Sequence, residues 1–280
     1  MLDVLLDSLL DTLKIIPYLL LTFVILEFIE HKLSNKNKKI LGTNKKVGPL
    51  FGSILGALPQ CGFSVAASNL YSSGIITIGT LIAIFLSTSD EMLPIMLSEN
   101  IDILLVLKII GFKVLIGLII GYIIDLVYKK KKNNNIEHIG EMCEKDHCDC
   151  HNHSIIYSSI SHTLKISFFI LFANVIIGLL IYKVGEDNIS NLLLNKNIFT
   201  YFISSLIGLI PNCASSVVMT ELYLSNLITI GNLLSGLLTG SGLGILLLFK
   251  SNKNIKENLL ILSIVYFIGV LVGFIVDIII

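Results

Sequence analysis

The chain has 280 residues, 54% of them hydrophobic and only 14% charged, with 20 basic and 20 acidic side chains and no formal net charge. A soluble domain carries about 25% charged residues, and here long apolar runs recur from end to end, so composition excludes a soluble globular protein and predicts a polytopic one embedded in the lipid bilayer. No basic stripe mixed with aromatics lies outside the lysine-rich flanks of the apolar runs, which leaves nucleic-acid binding without support.

The first apolar run, about residues 10–28, follows Asp3, Asp7 and Asp11 and not a basic region, and no small-residue cleavage site comes after it. It reads as a retained transmembrane helix. A second run, about 47–71, is interrupted by Pro59-Gln60-Cys61-Gly62, and a third, about 75–97, by Ser87-Thr88-Ser89-Asp90. A fourth spans about 104–128. A hydrophilic linker follows at about 129–157. Four runs then repeat the series near 164–182, 202–224 with a break at Pro211-Asn212-Cys213, 227–249 with a break at Thr239-Gly240-Ser241-Gly242, and 259–279. The fold class is therefore all-α.

The series is a true internal repeat. Leu55-Gly56-Ala57-Leu58-Pro59-Gln60-Cys61 is answered by Ile207-Gly208-Leu209-Ile210-Pro211-Asn212-Cys213, 152 positions on. Asp11-Thr12-Leu13-Lys14-Ile15 returns as His162-Thr163-Leu164-Lys165-Ile166, and Gly121-Tyr122-Ile123-Ile124-Asp125 as Gly273-Phe274-Ile275-Val276-Asp277. Residues 1–128 form one repeat, 129–157 the linker and 158–280 the second repeat. Duplicated halves with Pro/Gly breaks at matching places mark a secondary transporter.

Loop charge gives an orientation. The loop holding Lys32, Lys36, Lys38, Lys39, Lys45 and Lys46 and the linker opening Lys129-Lys130-Lys131-Lys132 are expected in the cytoplasm, and the acidic loop Ser98-Glu99-Asn100-Ile101-Asp102 outside. In the second half the loop at residues 183–187 is balanced and that at 250–256 is basic, the reverse of the first. Equivalent loops on opposite sides describe inverted-topology repeats, with both termini outside the cytoplasmic (inner) membrane. About a dozen residues flank each Pro-x-Cys break. This is too few for two full spans of ~20 residues, so a kinked helix and a re-entrant hairpin whose tip meets its counterpart near the midplane both fit.

Proline frees backbone carbonyls, and the helix restarting after it carries partial positive charge at its N-terminus. Around the paired breaks stand Pro59, Gln60, Cys61 and Ser64, and Pro211, Asn212, Cys213, Ser215 and Ser216. Two symmetry-related thiols suit a thiophilic metal or metalloid, whereas amides, hydroxyls and carboxylates suit manganese. The bland alternative is a simple kink with cysteines as small packing residues. At the other pair of breaks, Ser87, Thr88, Ser89, Asp90 and Glu91 align with Thr239, Gly240, Ser241, Gly242 and Leu243. An intramembrane acid marks an ion or proton path; a break nearer the surface would instead leave Asp90 and Glu91 solvated. Lys113 lies mid-helix where the second half has Val265, and wants an acidic partner, with Asp90 or Glu91 the candidates. Glu221 aligns with Asn69 and faces either the cavity or the interface.

The linker concentrates Cys143, His147, Cys148, Cys150, His151 and His153. Short Cys/His tracts bind metals. This spacing is not that of a standard finger, so a flexible, weak metal collector or sensor is expected, against an incidental polar linker.

The paired motifs resemble the ten-helix heavy-metal exporter family, whose members carry names such as arsenic efflux protein or manganese transporter. The resemblance lies in Gly56-Ala57-Leu58-Pro59-Gln60-Cys61-Gly62-Phe63-Ser64, in Ile210-Pro211-Asn212-Cys213-Ala214-Ser215-Ser216 followed by Glu221-Leu222-Tyr223, in Leu238-Thr239-Gly240-Ser241-Gly242, and in a Cys/His-rich linker leading into the second repeat. It implies an inner-membrane exporter of a metal or metalloid, with a fold and transport class better defined than the substrate. The family's ten helices count five per half; four apolar segments are visible here, and five result when the arms of a hairpin are counted separately.

The expected function is thus secondary efflux of manganese, arsenic or another heavy metal, with the metal as cargo or regulator and no cofactor required. No Gly-x4-Gly-Lys-Ser/Thr loop is present, so energy comes from an ion gradient or a separate subunit. A passive channel or permease for a small ion is the alternative. An intramembrane metalloprotease is disfavoured because His-Glu-x-x-His is absent, and no enzymatic role is expected. Partners are lipid and the transported ion; a homodimer is compatible with this reading.

Overall fold

The computed structural model describes residues 9–10, 12–13, 16–17, 20–21, 24, 47–58, 61–89, 92–99, 101–128, 160, 163–164, 167–168, 171–172, 175 and 198–279. The linker and the whole Cys/His tract lie outside this set, as do Pro59, Gln60, Asp90 and Glu91 and the side chains of Cys61 and Cys213. Among the described residues there is helix and turn but no strand.

Ten helices are described in full. In the first half these are α1 (Gly48–Gly56), α2 (Cys61–Ser72), α3 (Ile78–Ser87), α4 (Met92–Ser98) and α5 (Ile103–Val127). In the second they are α6 (Phe199–Gly208), α7 (Cys213–Leu224), α8 (Ile230–Thr239), α9 (Gly244–Ser251) and α10 (Ile255–Ile279). The bounds of α2, α3 and α5 recur 152 residues later in α7, α8 and α10. The repeat read in the sequence is therefore a repeat of local structure. Matching signals set the ends. Pro49 opens α1, where a missing N–H costs nothing. Thr77 and Thr229 cap α3 and α8, each hydroxyl accepting from the backbone N–H three residues on.

Packing repeats too. In each half α3 or α8 is held between the short helix before the first break and the long last helix, so that α1, α3 and α5 form one group and α6, α8 and α10 another. The helices that restart after the Pro-x-Cys breaks cross over: α2 packs along α9 of the other half, and α7 against α4. Contact between α1 and α2 is sparse. The arms of a tight hairpin would lie along one another; these two go to different partners.

Among the described residues, four stretches are long and apolar enough to cross a membrane. The two that contain the second breaks, Ile78–Ser98 and Ile230–Ser251, are 75% and 83% buried inside the protein, against 22% and 33% for Ile103–Val127 and Ile255–Ile279. Broken spans thus occupy the centre and continuous ones the periphery. The outward faces of α5 and α10 carry Leu107, Leu115, Ile119, Phe267, Leu271 and Ile275, an apolar belt suited to acyl chains. The protein is a multi-pass membrane protein.

Helix crossings inside each group are backbone-close. A Cβ added to Gly117 would come within 2.8 Å of the Ala83 carbonyl oxygen, and one on Gly121 within 2.7 Å of that of Gly79. In the second half a Cβ on Gly269 would stand 2.9 Å from the Ser235 carbonyl, and Gly273 abuts Gly231 and the Ser235 hydroxyl. Small residues four apart let transmembrane helices meet without a side-chain layer between them.

Candidate functional site

The breaks add hydroxyl and backbone groups to the interior of the protein. At the end of α3, Ser87 Oγ donates to the carbonyls of Ala83 (2.8 Å) and Ile84 (3.1 Å), and Thr88 Oγ1 to that of Ile84 (2.7 Å). Ser89 Oγ reaches sideways to the Ala57 carbonyl, 2.7 Å away, and so ties this break to the one beside Pro59. All three hydroxyl residues are buried. At the end of α8, Thr239 Oγ1 lies 2.9–3.0 Å from the carbonyl oxygens of Ser205, Ser235 and Gly236, which share its single proton. Gly240, Ser241 and Gly242 then turn the chain, with Gly242 at φ +52°, a left-handed conformation glycine adopts without strain. Ser241 Oγ is buried and has no hydrogen-bond partner.

Lys113 joins the two breaks. Its side chain is fully buried, and its ammonium donates to the carbonyl of Thr88 and, at 2.8 Å, to that of Leu237. Those carbonyls belong to the last turn or cap of α3 and α8, where backbone acceptors lack helical partners and a cation is favoured by the helix dipole. One cation on α5 therefore caps a broken helix from each half. Asp90 and Glu91, the acidic partners expected for Lys113, lie outside the described residues.

Ser64 and Ser68 of α2 lie against Gly244, just after the second break of the other half. A Cβ on Gly244 would be 2.8 Å from Ser64 Cβ, and Ser68 Oγ donates to the Gly244 carbonyl (2.7 Å). The first turn of α2, just after Pro59 and Gln60, thus faces the Gly240–Gly244 turn. In the second half Ser215 Oγ folds back to the Asn212 carbonyl (2.9 Å), and Ser215 and Ser216 are buried in the first turn of α7. Pro211 and Asn212 are partly buried, whereas Glu221 is exposed on the outer part of α7 and not in the interior.

Two carboxylates went unassigned on sequence grounds. Asp125, near the end of α5, accepts from Thr77 Oγ1 (2.6 Å) and the Gly79 N–H (3.0 Å). Asp277, near the end of α10, accepts from Thr229 Oγ1, the Gly231 N–H (2.8 Å) and Tyr201 Oη (2.8 Å). Each accepts one backbone N–H at the start of the broken helix beside it and the hydroxyl of that helix's capping threonine. The signal was legible: Thr-Ile-Gly at 77–79 and 229–231, with an aspartate at matching positions in otherwise apolar helices. Among the described residues, no three His, Cys, Asp or Glu side chains converge on a point that could hold a metal.

The all-helical make-up of the described residues, with several apolar helices, accords with the family matched by the chain, described as "Putative, 10TM heavy-metal exporter", over residues 1–187 and 164–280. The chain belongs to that family. No curated protein and no solved structure matches it. The two matched stretches together span the whole chain, and family membership makes heavy-metal export its functional class.

Proposed function

We propose that the protein is a secondary efflux transporter that carries a metal or metalloid ion out across the cytoplasmic membrane by alternating access, along a path between the broken helices of its two repeats. The observation that carries this reading is Lys113, one buried ammonium holding carbonyls from a broken helix of each half. It makes the two breaks one site.

Three contacts support an inverted relation between the repeats. Asp125 puts the end of α5 beside the start of α3, and Asp277 puts the end of α10 beside the start of α8. Tyr71, in the last turn of α2, donates to Glu257 Oε1 in the first turn of α10 at 2.5 Å. The side of the molecule bearing the start of α3 therefore bears the opposite end of α10, a helix of 25 residues and so about 37 Å long. This arrangement puts Tyr128, at the end of α5, on the same side as Lys250, Lys253 and Lys256, in keeping with a cytoplasmic face for that basic loop.

The described donors around the breaks are hydroxyl and carbonyl oxygens, which favour a hard or borderline cation such as Mn²⁺ over arsenite unless Cys61 and Cys213 ligate directly. Resistance and cell metal content in a deletion strain, measured for arsenite and Mn²⁺ in parallel, separate these. With a sulfur-bound substrate, Cys61→Ser and Cys213→Ser should each abolish resistance; with Mn²⁺ they should retain most of it while Asp90→Asn loses it. Wild-type behaviour of all three against both ions would remove the breaks from the path. Flux into vesicles that never saturates and ignores a proton gradient would favour a channel. The linker cysteines and histidines serve, on this reading, as a weak collector upstream of the path.

A further inference from the structure

Besides the contact of α3 with α8 and α10, the repeats meet through the helices that follow the Pro-x-Cys breaks, α2 with α9 and α7 with α4, and these two crossings are built differently. Along α2–α9, Ser68 bonds the Gly244 carbonyl, Ser251 Oγ donates to Asn69 Oδ1 (3.1 Å), and Tyr71 Oη donates to the Glu257 carboxylate (2.5 Å). Asn69 is fully buried and Tyr71 nearly so. Glu257 is itself held: its N–H bonds Asn254 Oδ1 (3.4 Å), and the adjacent Asn258, fully buried, exchanges hydrogen bonds with Asn252 at 2.8 and 3.0 Å. The turn between α9 and α10 is thereby fixed beneath the tyrosine.

At the equivalent positions of the other crossing this chemistry is missing from the sequence. Asn69 and Ser251 become Glu221 and Glu99, both exposed and, as carboxylates, unable to donate to each other. Glu257 becomes Leu105, which cannot accept from Tyr223, and Asn258 becomes Val106. Ser68 becomes Thr220, whose hydroxyl returns to the Ser216 carbonyl in its own helix (2.7 Å). Among the described residues, what remains is apolar packing, with Met92 and Met96 in one cluster with Val218, Met219 and Leu222, and it is less extensive than at α2–α9. Methionine adapts to changing shapes where a fixed hydrogen bond does not.

We infer that the α2–α9 crossing is a cytoplasmic gate latched by Tyr71–Glu257 and Asn69–Ser251, shut in this structure, and that the α4–α7 crossing is its unlatched outer counterpart. The inference rests on the alternating-access reading. Opening toward the cytoplasm breaks the latch; opening outward only slides methionine over aliphatic side chains.

Distance measurements on the full chain in lipid nanodiscs test it. Spin labels on encoded ketone residues leave the five native cysteines in place. One pair, at Ser72 and Lys253, reports the inner crossing, and another, at Ser98 and Ser225, the outer. Tyr71→Phe should raise the long-distance population of the inner pair roughly tenfold, the equilibrium weight of one charge-assisted hydrogen bond, and raise the short-distance population of the outer pair in step. Glu257→Gln should do the same to a smaller degree, since glutamine still accepts. If MnCl₂ or arsenite shifts both pairs reciprocally in the wild type while neither variant changes them, the latch is wrong and alternating access stands. If the inner pair opens with no response at the outer pair, alternating access itself fails.

Discussion

The two central breaks occupy equivalent places and are finished in opposite ways. After α3, every hydroxyl at Ser87, Thr88 and Ser89 is bonded to backbone, and Lys113 closes the last carbonyl. After α8, Thr239 is bonded, but Ser241, the counterpart of Ser89, is buried without a partner, glycines flank it, and Val265 stands where Lys113 would. A stitched break resists rearrangement, and one with an unsatisfied hydroxyl, at a cost of about 1–3 kcal/mol, keeps an acceptor and donor in reserve. In the proposed transport cycle, the first break is the frame and the second the adaptable surface.

The largest test removes the frame's pin. Lys113→Met keeps the stem's volume and strips both carbonyls of their cation; efflux should fall to background and the melting temperature in detergent should drop, each unpaired carbonyl costing about 1–3 kcal/mol. Retained efflux would mean the two breaks do not act as one site.

Next come the duplicated aspartates. Asp125→Asn and Asp277→Asn each weaken charge-assisted bonds to a helix N-terminus, worth about 1.5–3 kcal/mol per bond. Asp277 also holds Tyr201, and both variants should melt below the wild type in a thermal-shift assay. Equal losses would show the two halves to be equally stitched at this end and the contrast to be confined to the breaks.

The smallest effects sharpen the contrast most. Ser89→Ala should cost about 1 kcal/mol of stability by losing its bond to Ala57 and change transport little. Ser241→Ala removes an unpaired hydroxyl, so stability should hold or rise, whereas the KM for the exported ion should increase if that oxygen is its ligand. The reverse pattern would exchange the roles of frame and surface.

Much of this architecture is legible in the chain because proline, glycine and hydroxyl runs interrupt apolar segments at equal spacing, and in a bilayer such interruptions survive only where the protein satisfies them. Helix bounds, the repeat and the interior position of the breaks follow from that. The partners of Lys113 do not, since a carbonyl 124 residues away has no side-chain signature and every residue carries one. Glu221 illustrates the same limit: its depth depends on how α7 crosses to α4, a contact between halves that no local pattern encodes. The asymmetry of the crossings was spelled out in Asn69, Ser251 and Glu257 against Glu221, Glu99 and Leu105, but becomes readable only once the helices are known to pair across the repeats.

The glycines at 117, 121, 269 and 273 carry one more consequence. Where two helices touch backbone to backbone there are no rotamers to exchange, so the contact cannot yield by degrees: it holds, or it comes apart along its whole length. Each group of short and long helices therefore behaves as a plate. In the proposed transport cycle, what substrate and ion gradient move is its position against the other plate, along the contacts α3 makes with α8 and α10 and through the crossings at α2–α9 and α4–α7.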